Sequence, residues 1–261
     1  MKEKEMYSDL RQTYLLGIKI NPLTGKEAAE KIIQVVEDQK EYSCRPVLTP
    51  NAEILVQACR EERLAYMLNN AWLTLPDGSG LKIASKLLPG SENLPDRVAG
   101  IDLLKDLIRS ASGGVAKMYF LGGRPGVAAS AAHRMQERFD NLKILGCHHG
   151  YLNRVDAAEV IEDINTRKPD LLFVGMGAPR QEEFIFTHRE DLKVKVAITV
   201  GGSFDVLSGR KKRAPGVMQK FHLEWLYRII QEPSRWRRAL RLPVFTGIVL
   251  KECLRSKFGR N

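Results

Sequence analysis

The sequence predicts an α/β fold: a three-layer, mostly parallel, Rossmann-like sheet with a basic, helical C-terminal appendage. Short runs rich in β-branched and aromatic residues alternate with amphipathic stretches over the first 205 residues. Two of these runs, 118–121 and 171–174, are continuously apolar, which is typical of parallel strands buried on both faces. After residue 205 the alternation stops and the pattern becomes helical.

The elements follow in order along the chain. The strand candidates are 14–20, 46–48, 72–75, 118–121, 142–147, 171–174 and 196–200. The helix candidates between them are 25–39, 52–68, 101–112, 127–139 and 156–166. Residues 207–216 are predicted to form an exposed loop, and a helix over 217–231 is expected to stop before Pro233. We therefore divide the chain into an α/β core, 1–205, and an appendage, 206–261.

The net positive charge of the chain comes from the appendage alone. Residues 206–261 contain 14 Lys and Arg residues against 3 Asp and Glu, whereas the other 205 residues contain 27 against 28. A cationic segment on a neutral body indicates a polyanionic partner, such as anionic lipid, a diphosphate or nucleic acid. The aromatic residues Phe221, Trp225, Tyr227, Trp236 and Phe245 argue against a disordered, solubilising tail.

Composition excludes several other classes of protein. We expect no secretory signal, because the N-terminus lacks an apolar segment, and no spanning helix, because no apolar run approaches 20 residues. Cys44, Cys59, Cys147 and Cys253 are scattered, so neither a disulfide framework nor a zinc site is expected. A location in the reducing cytoplasm fits the lack of a signal segment and the scattered cysteines.

Five glycine-rich or polar loops follow predicted strands. They comprise residues 49–51, 76–80, 122–126, 175–182 and 201–205. Ligands of open α/β sheets bind beyond the carboxyl ends of the strands, where glycines and helix N-termini let the backbone approach a phosphate. The loops together predict a nucleotide-type pocket, although no GxGxxG or GxxxxGK[ST] fingerprint occurs.

Asp77, Thr49 and Asn51 are the polar candidates at these strand ends. Asp77 lies between a predicted strand and Gly78, so we expect it at the rim of the pocket. From spacing alone, Asp77 is as well explained by a turn or by a cap of the next helix. Thr49 and Asn51 are placed to bond a sugar, or else to cap the helix that begins near Ala52.

The chain contains no DxD pair, the usual means by which a divalent cation holds a donor diphosphate. A diphosphate bound here would be neutralised by arginines or helix N-termini instead. Arg228, Arg235 and Arg238 share one face if the two helices of the appendage are continuous. The alternative is a solvated basic face with little energetic value.

Nine segments, taken together, resemble a known family. They are TPNAEI (49–54), LPDGSGL (75–81), DRVAGIDL (96–103), FLGGRPGV (120–127), GCHHGYL (146–152), PDLLFVGMGAPRQE (169–182), VGGSFDVLSG (200–209), RAP (213–215) and LEWLYRIIQEPSRWRR (223–238). In this order they are similar to the WecG/TagA/CpsF glycosyltransferases of bacterial surface-polymer synthesis, and most similar to the TagA branch of wall teichoic acid synthesis.

The resemblance implies a reaction. Members transfer N-acetylmannosamine from UDP to the 4-hydroxyl of GlcNAc-diphosphate-undecaprenol, with inversion and without metal or cofactor. Branches that use UDP-ManNAcA or UDP-glucose share the motifs, so the donor stays open. The implied partners are a UDP-sugar, a polyprenyl-diphosphate acceptor and an anionic membrane surface on the inner face of the cell membrane, with no nucleic acid; a homo-oligomer is left open.

The resemblance also implies roles for individual residues. Asp77 matches the general base, and Thr49 and Asn51 match residues of the sugar pocket. Gln181 matches a residue that contacts the bound ligand. The appendage residues Arg228, Arg235 and Arg238 match arginines that meet the diphosphates. A departure from the family pattern occurs at residues 147–149, Cys-His-His. Adjacent histidines are expected to point to different sides, which favours a role other than metal binding.

Three rival interpretations come from other classes of protein. A nucleic-acid-binding protein would use the cationic appendage, but the body lacks matching charge. A nucleotide-dependent oxidoreductase would require the absent dinucleotide fingerprint. A non-catalytic membrane scaffold would leave the polar loops without a purpose.

Overall fold

The structure is a computed structural model that describes residues 10–38, 42–221, 223–232, 236 and 240–258, with only the backbone of residues 228, 257 and 258. The strands are β1 (Thr13–Leu15), β2 (Ile18–Ile20), β3 (Arg45–Leu48), β4 (Leu73–Thr74), β5 (Lys117–Gly122), β6 (Lys143–His148), β7 (Leu171–Gly175) and β8 (Val196–Thr199). The helices of the first 205 residues begin with α1 (Gly25–Glu37), α2 (Ala52–Ala58), α3 (Glu62–Asn70), α4 (Ser79–Leu87) and α5 (Gly100–Ala111). They continue with α6 (Val127–Arg138), α7 (Arg154–Arg167), α8 (Arg180–His188) and α9 (Ser203–Leu207). Three more follow: α10 (Gly216–Lys220), α11 (Glu224–Gln231) and α12 (Arg241–Phe258).

Six strands form one parallel sheet in the order β4-β3-β8-β7-β5-β6. Its central strands are apolar on both faces. In β5 and β7, Phe120 and Phe173 pack into one hydrophobic core, whereas Leu121 and Val174 pack into a second core on the opposite face. Helices α1, α5, α6 and α9 cover the first face; α2, α3, α4, α7, α8 and α12 cover the second. The predicted three-layer α/β fold is confirmed.

Local signals in the sequence begin two of the helices. Thr24 and Glu27 form a reciprocal capping box at the start of α1, and Asn153 and Asp156 form another at α7. Each pair satisfies backbone N–H groups that have no partner within the helix.

The structure differs from the predicted elements in three places. Residues 14–20 form an antiparallel hairpin of β1 and β2 rather than one strand, because Leu16 and Gly17 turn the chain with positive φ angles of 53° and 79°. The predicted helix 52–68 is two helices, α2 and α3, and the predicted helix 217–231 is likewise divided into α10 and α11.

The described part of the appendage packs against the core. In α12, Phe245 and Val249 are buried in the same hydrophobic core as α2 and α4. Residues 207–216 are not simply an exposed loop, because Ala214 is buried and Arg213 is partly buried. The division into 1–205 and 206–261 stays a prediction. Among the described residues, no helix combines the length and apolar character needed to cross a bilayer.

Candidate active site

A cavity of about 300 Å³ lies beyond the carboxyl ends of four adjacent strands. The loop after β3 contributes Thr49 and Asn51, and the loop after β4 contributes Asp77. The loop after β7 contributes residues 177–179 and Gln181, and the loop after β8 contributes residues 200–203. The cavity therefore lies where open parallel sheets bind ligands, and its volume is at the lower end of small-molecule sites.

Asp77 is half-buried at the wall of the cavity. Its backbone N–H donates to the carbonyl oxygen of Pro50 at 2.9 Å, and the carbonyl of the preceding Pro76 accepts from Val98 at 2.7 Å. The cap alternative is wrong, because the N-cap of α4 is Gly78, which has no side chain, and not Asp77. Gly78 adopts a φ of 107°, a conformation that side chains other than glycine rarely reach.

Thr49 lines the cavity, but its polar groups bond to the neighbouring strand. Its hydroxyl donates to the carbonyl oxygen of Thr199 at 2.9 Å, and its backbone N–H donates to the Thr199 hydroxyl at 3.0 Å. A hydroxyl has one hydrogen, so Thr49 retains only acceptor capacity for a ligand. A role in sugar binding stays a prediction, and the observed contacts fasten β3 to β8 at the floor of the site.

Asn51 caps α2 and also lines the cavity, and its role in sugar binding stays a prediction. Its side-chain oxygen caps α2 by accepting from the backbone N–H of Ile54 at 3.0 Å. The cap fixes the amide plane, and the side-chain nitrogen makes no hydrogen bond within the described residues. That nitrogen retains two N–H groups for a ligand in the cavity.

Gln181 lies in the first turn of α8, and its side chain is bonded at both ends. The nitrogen Nε2 donates to Oε1 of Glu182 at 2.9 Å, and the oxygen Oε1 accepts from the backbone N–H of Gly201 at 3.1 Å. Glu182 is 1% exposed, and its Oε2 has no hydrogen-bond partner among the residues that the structure describes. Burial raises the pKa of Glu182 to about 7.

Arg213 anchors the segment after α9 to the core. Its guanidinium donates to both carboxylate oxygens of Asp102 in α5, at 2.5 and 2.6 Å. The hydrogen bond with Asp102 raises the pKa of Arg213, and the negative charges of Asp102, Glu224 and Asp77 contribute further. Arg213 therefore holds a permanent positive charge within the electrostatic reach of Asp77.

Other basic side chains of the appendage also line the cavity: Lys211, Lys212 and Arg241. Lys211 is paired with Asp205 and Glu232. Arg241, at the start of α12, donates to the side-chain oxygen of Gln57 at 2.8 Å. These three residues were not predicted as site residues, although Lys211 and Lys212 belong to the conspicuous run Arg-Lys-Lys-Arg at 210–213.

Comparison with known proteins identifies the family. The model of the glycosyl transferase WecG/TagA/CpsF family matches residues 13–259. The chain therefore belongs to the WecG/TagA/CpsF glycosyltransferases.

Relatives within the WecG/TagA/CpsF family carry a specific name. An N-acetylglucosaminyldiphosphoundecaprenol N-acetyl-beta-D-mannosaminyltransferase of Bacillus spizizenii is 39% identical over 205 residues, which cover 78% of each chain. A protein of the same name from Bacillus subtilis is 36% identical over 206 residues, 79% of each chain. Another, from Staphylococcus aureus strain MRSA252, is 33% identical over 247 residues, 95% of each chain.

The arginines predicted from the resemblance to WecG/TagA/CpsF enzymes are only partly within the described structure. Arg228 lies in α11, whose residues Glu224, Tyr227 and Gln231 line the cavity, but its side chain is outside the described atoms. Arg235 and Arg238 lie outside the described residues. Their contact with a diphosphate stays a prediction.

One of the five loops expected at the pocket does not line it. Residues 122–126 follow β5, which lies on the far side of β7 from β8 and β3. His148 ends β6 and His149 follows it, farther still along the sheet. Their ring centroids lie 4.2 Å apart with the ring planes tilted by 51°, and Nδ1 of His148 lies 3.0 Å from the carbonyl oxygen of His149. The cavity of this WecG/TagA/CpsF enzyme thus lies at the ends of four of the six strands, β4, β3, β8 and β7.

Within the described ranges, no group of three or more His, Cys, Asp or Glu side chains is arranged to hold a metal ion. Metal-independent catalysis by this member of the WecG/TagA/CpsF family remains a prediction.

Proposed function

We propose that this chain transfers N-acetylmannosamine from UDP-ManNAc to the 4-hydroxyl of a GlcNAc-diphosphate-undecaprenol acceptor, with inversion and without a metal ion. The observation that carries the proposal is the cavity in which Asp77 and the basic residues Lys211, Lys212, Arg213 and Arg241 lie together. The names of the relatives support the transferred sugar and the acceptor.

In the proposed mechanism Asp77 is the general base. Its carboxylate accepts the proton of the acceptor hydroxyl as the oxygen attacks the anomeric carbon of the donor. A new carbon–oxygen bond forms on the face opposite UDP, and the bond to the β-phosphate oxygen breaks with its electron pair passing to UDP. One displacement inverts the anomeric configuration and needs no covalent nucleophile.

The basic residues supply the stabilisation that the leaving group needs. UDP gains negative charge as the glycosidic bond breaks, and cations fixed in a cleft stabilise that charge without reorganising. Lys212 and Arg241 line the cavity directly, and Arg213 is held by Asp102. We propose that these side chains, together with Arg228, Arg235 and Arg238, replace the divalent cation that other glycosyltransferases use.

Donor screening tests the proposal. The protein is offered UDP-ManNAc, UDP-ManNAcA, UDP-GlcNAc and UDP-glucose in turn, each with a GlcNAc-diphosphate-lipid acceptor and with EDTA, and released UDP is measured. We expect release with UDP-ManNAc that depends on the acceptor and persists in EDTA. Preference for UDP-ManNAcA or UDP-glucose would reassign the donor, and activity abolished by EDTA would contradict metal independence.

The appendage is proposed to bind the anionic inner surface of the cell membrane, where the acceptor lies. Its described part exposes large apolar side chains: Val217, Phe221, Trp225, Ile230, Trp236, Leu240, Leu250 and Leu254. Basic residues accompany them, and this combination favours the interface of an anionic bilayer.

Vesicle flotation measures membrane binding directly. Vesicles containing 30% phosphatidylglycerol are expected to carry the protein to the top of a gradient, and purely zwitterionic vesicles to carry much less. Trp225→Ser with Ile230→Ser should weaken binding to anionic vesicles, and Tyr66→Ser, an exposed aromatic residue of α3 in the core, is the control. Equal binding of all three proteins would contradict the proposal.

Light scattering in the same buffer determines whether the protein is a homo-oligomer.

A further inference from the structure

Glu182 is a buried carboxyl group that the proposed mechanism does not use. It lies in the first turn of α8, is 1% exposed, and is not part of the cavity wall. Burying an ionisable group costs free energy unless the group is bonded, so a carboxyl in this position requires an explanation. Its neighbour Gln181 does line the cavity.

A chain of two hydrogen bonds connects Glu182 to the wall of the cavity. Oε1 of Glu182 accepts from Nε2 of Gln181 at 2.9 Å, and Oε1 of Gln181 accepts from the backbone N–H of Gly201 at 3.1 Å. Gly201 follows β8 and itself lines the cavity. Glu182 and Gly201 together permit only one orientation of the Gln181 amide. The carboxyl oxygen of Glu182 accepts a hydrogen bond and must face the amide nitrogen, whereas the backbone N–H of Gly201 donates one and must face the amide oxygen.

The fixed amide has one hydrogen left. The nitrogen Nε2 carries two hydrogens, and Glu182 accepts one of them. The second is the only donor that Gln181 has for a ligand. A flipped amide would present its oxygen to the cavity instead, and that oxygen cannot donate a hydrogen bond to a phosphate or carbonyl oxygen of a sugar nucleotide.

We infer that Glu182 is a positioning residue, which orients Gln181 so that its remaining N–H donates to an oxygen of the sugar nucleotide. This inference rests on the proposed function for the identity of the ligand. An uncharged carboxyl group at Glu182 can orient Gln181 equally well, because its Oε1 needs only to be a carbonyl oxygen to accept the hydrogen bond from Nε2 of Gln181.

Burial agrees with a neutral acid in this position. The pKa of Glu182 is raised from 4.5 to about 7, chiefly by desolvation, with a smaller contribution from the charge of Glu183. The oxygen Oε2, which makes no hydrogen bond within the described part of the chain, is the atom that would carry the proton. An amide side chain of the same shape should therefore replace Glu182.

Kinetic measurements on a set of variants test the inference. Glu182→Leu removes the acceptor and should raise the donor KM roughly tenfold with a smaller change in kcat, as should Gln181→Leu. The double variant should be no worse than Gln181→Leu alone, because both changes remove the same contact. Glu182→Gln keeps the acceptor and should stay within about twofold of the original protein, and Glu183→Gln is the control on the same helix.

A purely structural role would give a different pattern. The losses of Glu182→Leu and Gln181→Leu would then multiply in the double variant, and that result would overturn the inference. A large loss in Glu182→Gln would overturn it too, because a charge would then be required. If Glu182→Leu does not fold, a large loss in Glu182→Gln still overturns the inference, and slow exchange of the bonded Gln181 amide hydrogen in Glu182→Gln supports it.

A second measurement needs no substrate and is independent of the proposed reaction. In NMR spectra, the side-chain amide signals of Gln181 are assigned by their loss in Gln181→Leu. The hydrogen bonded to Glu182 should exchange slowly with solvent in the original protein and in Glu182→Gln, and fast in Glu182→Leu. Failure of every UDP-sugar in the transfer assay would refute the proposed function, whereas equal exchange rates in all variants would refute this inference alone.

Discussion

The backbone N–H of Asp77 donates a hydrogen bond to the carbonyl oxygen of Pro50 across a distance of 2.9 Å. This bond joins the loop after β4 to the loop after β3, and both loops line the same cavity. Because β3 and β4 are parallel neighbours, their carboxyl ends meet at one edge, and the bond fixes the backbone of Asp77 relative to Asn51. A general base requires this kind of fixed position, since proton transfer depends on hydrogen-bond geometry.

Lys212 is predicted to strengthen donor binding through its charge. Lys212→Met should raise the donor KM about threefold to tenfold, and the difference should shrink in 1 M salt, because the positive charge lies in an open, solvated part of the cavity. Lys220→Met, an exposed lysine at the end of α10 outside the cavity wall, is the control. Equal KM values for the two variants would contradict a role for Lys212.

Arg213 is predicted to stabilise the fold as well as the site. Arg213→Met breaks a two-bond ion pair with Asp102, which is partly screened by solvent, and should lower the free energy of unfolding in urea by about 1–2 kcal/mol. Arg109→Met removes a more exposed ion pair with Asp106 in α5, the helix that contains Asp102. It should lower the free energy of unfolding by less than about 0.5 kcal/mol. Similar losses in both variants would show that the segment after α9 is not anchored through Arg213.

Phe245 tests how firmly α12 is attached to the core. Its side chain is 5% exposed and packs in the core shared with α2 and α4, so Phe245→Ala should destabilise the protein by about 3–5 kcal/mol. Leu250→Ala, on the exposed side of the same helix, should change stability by less than about 0.5 kcal/mol. A small effect of Phe245→Ala on thermal or urea unfolding would indicate that α12 folds apart from the core.

Glu182 should make stability depend on pH. Its folded-state pKa of about 7 exceeds the ordinary 4.5, so the native protein retains a proton that the unfolded chain releases. The stabilisation is complete below about pH 4.5 and is lost as the pH rises through about 7. Relative to Glu182→Gln, the protein should lose at most about 3 kcal/mol over that interval. Parallel stability profiles for the two proteins would contradict the raised pKa.

The sheet could be predicted from the sequence because the residue composition of its strands is typical of buried parallel strands. The strands β5 and β7 are buried on both faces, and their continuous apolar runs indicate this directly. The hairpin of β1 and β2 was missed because its turn depends on Leu16 in a positive-φ conformation. Leucine rarely adopts that conformation, so its presence does not indicate a turn. The break between α2 and α3 was missed because residues 59–61, Cys-Arg-Glu, contain no glycine or proline.

The candidate site was predictable only in part, for a topological reason. Asp77, Asn51 and Gln181 follow strands, so their placement at one edge follows from parallel pairing. The order of the strands along that edge does not follow from the sequence, and it separates residues 122–126 from the cavity. Lys212 and Arg241 enter the cavity from a distant part of the chain through tertiary packing, which no local pattern indicates.

The most direct test of the proposed mechanism is the turnover of Asp77→Asn, measured together with its affinity for UDP. Asp96→Asn, an exposed carboxylate paired with Lys82 outside the cavity, is the matched control. Removing a general base should lower kcat by at least about 100-fold while leaving UDP binding within about twofold, and the control should keep full activity. An Asp77→Asn protein that turns over at the original rate would contradict the assignment of Asp77 as the base.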